Sequence, residues 1–443
     1  MMFSVLIAKL VSKLLRIMGR GATTLPGKIA LRLKYNILNC LSRNVGIICV
    51  TGTNGKTTTC ALIEAGLKAA GKSYFINKSG ANMITGIATA FIDNSTVFGR
   101  CKKDYAVLEC DENSFPAISR YIDANIIVVT NVFRDQLDRY GEVSHTLGKI
   151  SIALDNNKQA MLVLNADCPL TMSLVLKRPN RLRTFGINAD FDIKSKSDSR
   201  FCPVCNYPLN YRSRVYAQLG DYCCPCCGFS RKQPNVYADS IISVNDAGSA
   251  FMLNVGDIQN LCSLSIGGIY NVYNFLSAVA VLDAIGVGDY SVLREFSGAF
   301  GRTERFSYNG KSITLMLVKN PVGLSQCIEC ASEIKERFNF AFSLNDKYAD
   351  SRDVSWVWDA DFKPIRDKYI NVYTLGTRSY DIAVRLKYDG IKTDKMIFGE
   401  NYRELIDIIK SQPGDFVIFA TYTSMMAMRH RLIEEFGGRE FWQ

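Results

Sequence analysis

The run Thr51-Gly-Thr-Asn-Gly-Lys-Thr-Thr-Thr59 follows the short apolar stretch Gly46-Ile-Ile-Cys-Val50 and precedes a segment, Thr57 to Ala70, with helical periodicity. A loop of small residues between a buried strand and a helix lets several backbone N–H groups point at phosphate oxygens. The helix start adds its positive end. Lys56 would neutralise phosphate charge and the Thr57 hydroxyl would ligate Mg²⁺. The common GxxxxGK[ST] pattern is not met, because Val50 stands at its first glycine. Glu109 ends a second apolar run, Ala106-Val-Leu-Glu109. A carboxylate at the C-terminal end of a parallel strand faces the ligand crevice, which makes Glu109 a second Mg²⁺ ligand. Asp111 and Glu112 follow it, either as solvated loop carboxylates or as participants. The chemistry implied is transfer of a phosphoryl group from ATP, which rests chiefly on positioning, Mg²⁺ and cations such as Lys56.

A second constellation is built of thiols. Cys202-Pro-Val-Cys205 and Cys224-Pro-Cys-Cys227-Gly228 give two CxxC pairs with eighteen residues between them, the spacing of a zinc ribbon. The Cys-Pro-x-Cys-Gly knuckle favours Cys202, Cys205, Cys224 and Cys227 as the ligands, with Cys223 and Cys226 as the other register for the second pair. Four thiolates leave no open position, so the Zn²⁺ would be structural. A dithiol redox role is the competing use. The cysteines total fifteen, an odd number, and Cys49, Cys60 and Cys110 lie in apolar runs. That scatter points to a reducing cytoplasm, where CxxC pairs bind metal.

These groups need a frame. At 443 residues the chain should split into two or three domains, and 48% hydrophobic with 21% charged residues is ordinary globular composition. Apolar strands at Tyr105–Glu109, Ala124–Thr130 and Ala160–Asn165, separated by helix-length segments, predict an α/β fold with a largely parallel sheet. From about 194 to 236 the composition changes to Cys, Pro, Tyr and Arg, which marks an inserted metal module. A helix resumes at Asn271–Leu282. Strands at Ser312–Leu317, Phe338–Ser343, Ile370–Thr374 and Asp415–Ala420 form a further α/β unit. The expected domains are a helical leader (1–45), a P-loop ATP-binding domain carrying the ribbon (46–304) and a smaller Rossmann-like α/β domain (305–443).

The net charge of +11 allows nucleic acid, an anionic membrane surface or an acidic substrate as partner. No arginine-rich helix or aromatic-interleaved basic strand is present, so nucleic acid is not expected. The leader Phe3 to Met18 is apolar, with Lys9, Lys13 and Arg16 at helical spacing. It is too short and too charged to span a bilayer, and it lacks a small-residue cleavage site. It reads either as a helix packed on the first domain or as a contact with anionic lipid at the inner face of the plasma membrane.

With Thr51 to Thr59, Ala106-Val-Leu-Glu-Cys-Asp-Glu-Asn-Ser-Phe115, Thr130-Asn-Val-Phe-Arg-Asp-Gln-Leu-Asp-Arg-Tyr-Gly141, Asn165-Ala-Asp167, Gly268 to Ala278, and Gly301-Arg302 with Lys319, the chain resembles the Mur ligase family. These are ATP-dependent amide-forming enzymes of peptidoglycan synthesis. The resemblance implies phosphate binding by Gly52, Thr53, Asn54, Gly55, Lys56, Thr57 and Thr58, and Mg²⁺ binding by Thr57 and Glu109. It also implies adenine-side contacts from Asn271 and Asn274, and a nucleotide contact from Arg302. Two departures stand out. Gln136 occupies the position where the family usually has a histidine, which weakens a second metal site. Only about 45 residues precede the phosphate loop, where amino-acid-adding members carry a domain for the UDP end of the substrate.

The ribbon, the short leader and the words Leu317-Val-Lys-Asn-Pro-Val-Gly323 and Asn345 to Asp359 are similar to one branch of that family, the MurT subunits of lipid II isoglutaminyl synthases. That similarity implies a GatD-type glutamine amidotransferase partner and a lipid II substrate at the membrane surface. The implied reaction is amidation of the α-carboxyl of D-glutamate through an acyl phosphate. It further implies that an aspartate, Asp350 or Asp353, completes the partner's catalytic triad by orienting a histidine. Ser351 stands where the branch usually has glycine. His145 and His430 lie in no nucleophile motif and read as surface or packing residues. Trp356 and Trp358 alternate as on a strand, as core or partner interface. The competing functions are a stand-alone Mur or folylpolyglutamate-type ligase that adds an amino acid, and a non-catalytic zinc-ribbon adaptor.

Overall fold

The computed structural model describes the chain except residues 19–21, 78–80, 134–142, 191–200, 246–247, 297–302, 398 and 438–443. It divides into two compact units, the first covering Met1–Phe133, Val143–Val244 and Gly248–Ser297, the second holding Gly298–Gln443 with two short segments.

The first unit is built on nine strands: β1 (Gly46–Thr51), β2 (Tyr74–Ile76), β3 (Tyr105–Glu109), β4 (Ile126–Val129), β5 (Met161–Asn165), β6 (Leu182–Ile187), β9 (Val236–Val244), β10 (Ser249–Val255) and β11 (Ile258–Leu264). A separate hairpin is formed by β7 (Asn210–Tyr216) and β8 (Leu219–Cys223). The sheet order is β11-β10-β9-β6-β5-β4-β1-β3-β2. All neighbours from β2 to β9 run parallel, while β10 and β11 are antiparallel. The central parallel strands β1, β4 and β5 are largely apolar, as expected where helices cover both faces. Among them, Ile47–Val50, Leu162–Leu164 and Ile127–Val129 are buried throughout. Helix Lys56–Ala69 and helix Ile269–Ala284 lie against each other, with Leu282 filling the space above Gly66.

The leader residues form helices at Met2–Ile17, Leu25–Leu33 and Ile37–Leu41. The first packs on Leu25–Leu33 and on helix Ile84–Asp93. It does so through Ser4, Val5, Ala8 and Ser12, a face of small residues.

The second unit carries six strands: β12 (Thr303–Tyr308), β13 (Lys311–Leu317), β14 (Phe338–Ser343), β15 (Tyr369–Leu375), β16 (Lys395–Met396) and β17 (Phe416–Ala420), in the order β12-β13-β17-β14-β15-β16. Only the β12–β13 pair is antiparallel. Alternate residues of β14 and β17 feed two cores: Phe338, Phe340, Phe342 and Phe419 on one face, Ala341, Phe416 and Ile418 on the other. This is the doubly wound α/β arrangement expected for the C-terminal part. The tryptophan pair departs from expectation. Ser355–Asp359 is a 3-10 turn rather than a strand, with Trp356 buried and Trp358 exposed. Asp353 Oδ1 accepts the Ser355 N–H at 2.8 Å, which starts the turn and overrides the alternation.

Candidate active site and metal centre

The phosphate loop leaves β1 at Thr51 and enters its helix at Lys56. A Cβ on Gly55, whose φ is +88°, would stand 2.1 Å from Asn274 Oδ1, and one on Gly52 would stand 2.4 Å from Thr130 Oγ1. Only glycine fits at either position. The loop is held from outside by the residues that follow β4. Asn131 Oδ1 accepts the Asn54 N–H at 2.9 Å, and Thr130 Oγ1 donates to the Asn54 carbonyl at 2.7 Å. Thr53 Oγ1 accepts the Phe133 N–H at 3.0 Å.

Lys56 is folded over this loop. Its Nζ donates to the Gly52 carbonyl at 2.7 Å and pairs with Glu112 Oε1 at 2.7 Å. Both partners are buried, so the ammonium is held in place beside the loop with its charge met by a carboxylate. Thr57 Oγ1 donates to Glu109 Oε2 at 2.8 Å. A helix hydroxyl and a strand carboxylate therefore meet as a pair of hard oxygens, the donor type that suits Mg²⁺. Glu109 is positioned by Asn77, which clamps its backbone with Nδ2 to the carbonyl (3.0 Å) and Oδ1 from the N–H (2.8 Å). Asp111 has a different role from Glu112: its Oδ1 accepts the N–H groups of Asn113 and Ser114, both at 3.1 Å, and so shapes the turn before helix Phe115–Ile118.

The helix at Ile269 brings both expected asparagines to this region. Asn274 is buried against Gly55 and donates to Asn271 Oδ1 at 3.0 Å, while Asn271 donates to the Gly267 carbonyl at 2.7 Å. Arg302, and Gln136 within the Arg134–Arg139 word, lie outside the described residues. Sequence reasoning missed Asn77 and did not assign roles to Thr130, Asn131 or Glu112. The last three sit inside words that the family resemblance had marked, whereas Asn77 carries no local signal.

Cys202, Cys205, Cys224 and Cys227 converge, with all four sulfurs within 4.8 Å of one another. Cys202 Sγ lies 3.6 Å from Cys227 Sγ, and Cys205 Sγ lies 3.4 Å from Cys224 Sγ. A tetrahedral ion with Zn–S bonds of about 2.3 Å sets its sulfurs about 3.8 Å apart, so the cluster can hold Zn²⁺. The two knuckles match: the Asn206 N–H donates to the Cys202 carbonyl (2.9 Å) and the Gly228 N–H to the Cys224 carbonyl (3.0 Å), with φ of +61° and +74°. That equivalence favours Cys224 and Cys227 over Cys223 and Cys226 as the second pair.

The ribbon is fastened to the nucleotide region. Gln218, at the tip of the β7–β8 hairpin, donates from Nε2 to the Val132 carbonyl at 2.6 Å. Arg231, just past the second knuckle, pairs with the fully buried Asp167 at 2.6 Å. Asp167 Oδ2 also accepts from the Tyr273 hydroxyl (2.6 Å) and the Ile187 N–H (2.8 Å). Burial raises the Asp167 carboxyl, and Arg231 opposes that shift.

In the second unit the Asp-rich word follows β14. Asn345 Oδ1 accepts the Thr377 N–H at 3.0 Å, and its Nδ2 donates to Thr423 Oγ1 at 2.9 Å. Asp350 is buried, accepts the Thr423 N–H at 2.7 Å and takes a second bond from the Thr423 hydroxyl, so it caps the helix Tyr422–Phe436. Burial raises its carboxyl despite these bonds. Asp353 is only half-buried. Ser351, between them, has a φ of +82°, a left-handed conformation that suits glycine. His145 and His430 are both exposed.

A parallel sheet ending in a glycine loop, with Lys56, Thr57 and Glu109 gathered on it, defines a nucleotide-dependent ligase of the Mur class. Residues 50–202 match the family model "Mur ligase middle domain" and residues 317–425 match "MurT ligase C-terminal". The structure is similar in fold to a pseudomurein peptide ligase type C from Methanothermus fervidus (TM-score 0.69, 22% identity, 88% of this chain and 79% of that one). It is also similar to the MurF ligase from Thermotoga maritima, solved in complex with ADP (TM-score 0.62, 14% identity, 92% and 83%). Along the sequence the chain is 37% identical to the lipid II isoglutaminyl synthase (glutamine-hydrolyzing) subunit MurT of Streptococcus pneumoniae, over 94% of this chain and 93% of that protein. It is 34% identical to the corresponding subunit of Staphylococcus aureus strain COL, over 98% of both. The chain belongs to the MurT family of Mur ligases.

Proposed function

We propose that this chain is the ATP-consuming subunit of a lipid II isoglutaminyl synthase, paired with a GatD-type glutaminase that supplies ammonia. The α-carboxylate of D-glutamate in the lipid II stem peptide attacks the γ-phosphorus of ATP, and ADP leaves. Ammonia then adds to the carbonyl carbon of the acyl phosphate, inorganic phosphate leaves, and the product is the D-isoglutamine amide. A carboxylate is a poor electrophile, and phosphorylation gives it a leaving group.

The observation that carries this reading is the gathering of Lys56, Thr57 and Glu109 on the phosphate loop of a MurT-family chain. Gly52 to Thr58 would cradle the β- and γ-phosphates, and Arg302 would add a further cation. Lys56 would exchange Glu112 for phosphate oxygens. Thr57 and Glu109 would hold Mg²⁺, which when bound screens the charge of the transferring phosphoryl group. Asn274 braces the loop at Gly55, leaving Asn271 for the adenine side. Cys202, Cys205, Cys224 and Cys227 would hold a structural Zn²⁺. Of the two aspartates, Asp353 is the better candidate to orient the partner's histidine, because Asp350 is buried and engaged by Thr423. The reaction draws on cytoplasmic ATP and would take place at the inner face of the plasma membrane.

The test combines purified chain, ATP, Mg²⁺, ammonium and lipid II. Phosphate release together with a new amide is the expected result. Turnover with free amino acids but not with ammonium would establish an amino-acid-adding ligase instead, and no ATP turnover at all would establish an adaptor.

A further inference from the structure

The helix Met2–Ile17 packs with an unusual polarity. Its inward face is Ser4, Val5, Ala8 and Ser12, with Val5 the one larger apolar side chain fully buried there, whereas Phe3, Leu6, Leu10, Leu14 and Ile17 point outward. That spacing puts the five on one face, and Phe3, Leu10 and Ile17 are 66%, 60% and 72% exposed. A helix that only completed the domain would turn its leucines inward, since burying them is what drives packing. Contiguous outward apolar surface of this kind marks an interaction site.

The charges along its border indicate what covers it. Lys9, Lys13 and Arg16 line one edge of the apolar stripe and, with Ser12, Ile17 and Asp93, surround a pocket of about 500 Å³. Asp93 pairs with Arg16 at 2.6 Å and accepts from the Ser12 hydroxyl at 3.0 Å, while the Lys9 ammonium lies 3.5 Å from the Asp93 backbone carbonyl. Lys13 is exposed. The helix is about 24 Å long at 1.5 Å per residue, short of the roughly 30 Å of a bilayer core. No helix among the described residues is long and apolar enough to cross a membrane. An apolar face edged by cations, on a helix too short to span, is the signature of a segment lying in the plane of an anionic interface.

We infer that this outward face docks the chain onto an anionic phospholipid surface, the leucines entering the headgroup boundary while Lys9, Lys13 and Arg16 meet lipid phosphates. The inference deepens the proposed function by naming the surface that would hold the enzyme beside a lipid-borne substrate. Its test involves neither lipid II nor ATP turnover, so either can fail alone.

The experiment is co-sedimentation of the full chain with phosphatidylcholine vesicles containing or lacking phosphatidylglycerol. Binding should require phosphatidylglycerol and weaken with added salt. The Leu10→Glu/Leu14→Glu variant should fall to background, and Lys13→Glu should lose roughly tenfold in partitioning. Because these side chains are exposed, both variants should keep the wild-type circular dichroism and nucleotide affinity. Equal binding to both vesicle types, or wild-type binding by the double variant, would overturn the inference. So would a dimer in sedimentation velocity that the double variant abolishes while vesicle binding is absent, because the face would then belong to a second copy.

Discussion

Asp167→Asn is the most informative perturbation of the first unit. The change keeps the shape of the side chain but leaves the Arg231 guanidinium, which is 7% exposed, without its counter-charge. Breaking a buried pair from one side costs about 3–5 kcal/mol. Arg231 keeps Asn188 Oδ1 at 2.8 Å and the Ile187 carbonyl at 3.1 Å. The expected loss is therefore near the lower limit, about 3 kcal/mol, or roughly 1 M in urea midpoint for an m-value of about 3 kcal/mol/M. The tryptophans offer an internal control, since Trp356 and Trp358, the two among the described residues, lie in the second unit. Far-UV circular dichroism should show the first unit melting earlier, while tryptophan fluorescence keeps its midpoint. Adding Arg231→Met to Asp167→Asn removes the uncompensated charge while keeping an acceptor for the Tyr273 hydroxyl and the Ile187 N–H, and should recover part of the loss. A single-variant loss below about 1 kcal/mol, or a double variant costing the sum of two singles, would refute the reasoning.

Four further outcomes are expected. Gln218→Leu leaves the Val132 carbonyl unpaired, at about 1–3 kcal/mol, and should loosen the Thr130–Phe133 brace; nucleotide titration calorimetry should show weaker binding with the zinc content unchanged. Ser351→Gly relieves about 1–2 kcal/mol of left-handed backbone cost against about 0.5–1 kcal/mol of added chain entropy, so fluorescence-monitored unfolding should show a small gain in stability. Burial, with Glu333 nearby, pushes the Glu329 carboxyl up to about 7 against the opposing Gln326 bond. A raised folded value means its stabilisation is complete below the ordinary carboxylate range and is lost as pH rises through 7. The second unit should therefore lose on the order of 1 kcal/mol between pH 5 and 8, and Glu329→Gln should flatten that slope. Finally, elemental analysis should find one zinc per chain, and Cys202→Ser should release it.

The parts of the fold visible in the sequence are those set by local pattern. Ile47–Val50 and Ile127–Val129 read as buried parallel strands because an unbroken apolar run has few other uses. Their order in the sheet, and the antiparallel β10 and β11, do not follow from such runs. The phosphate loop and the cysteine pairs were legible because spacing itself encodes the chemistry. Spacing alone left the ligand register open, and the equivalent turns at Asn206 and Gly228 favour Cys224 and Cys227. What stayed hidden depends on contacts across the chain. Lys56 with Glu112, Gln218 with the Val132 carbonyl, and Asp167 with Arg231 join residues 56, 86 and 64 positions apart. The leader helix is the sharpest case. Its apolar spacing was plain, but which way its exposed leucines point was decided by Ser4, Val5, Ala8 and Ser12 packing against the neighbouring helices.

The central claim is that this polypeptide activates a carboxylate with phosphate from nucleotide held by its glycine loop. Amide formation on lipid II by the Lys56→Ala variant, assayed with its glutaminase partner at saturating ATP, tests it most directly. Loss of one preorganised cation or donor at the reacting group should slow the reaction by about two to three orders of magnitude, with glutamine hydrolysis by the partner still measurable. Amidation at the wild-type rate would contradict the account.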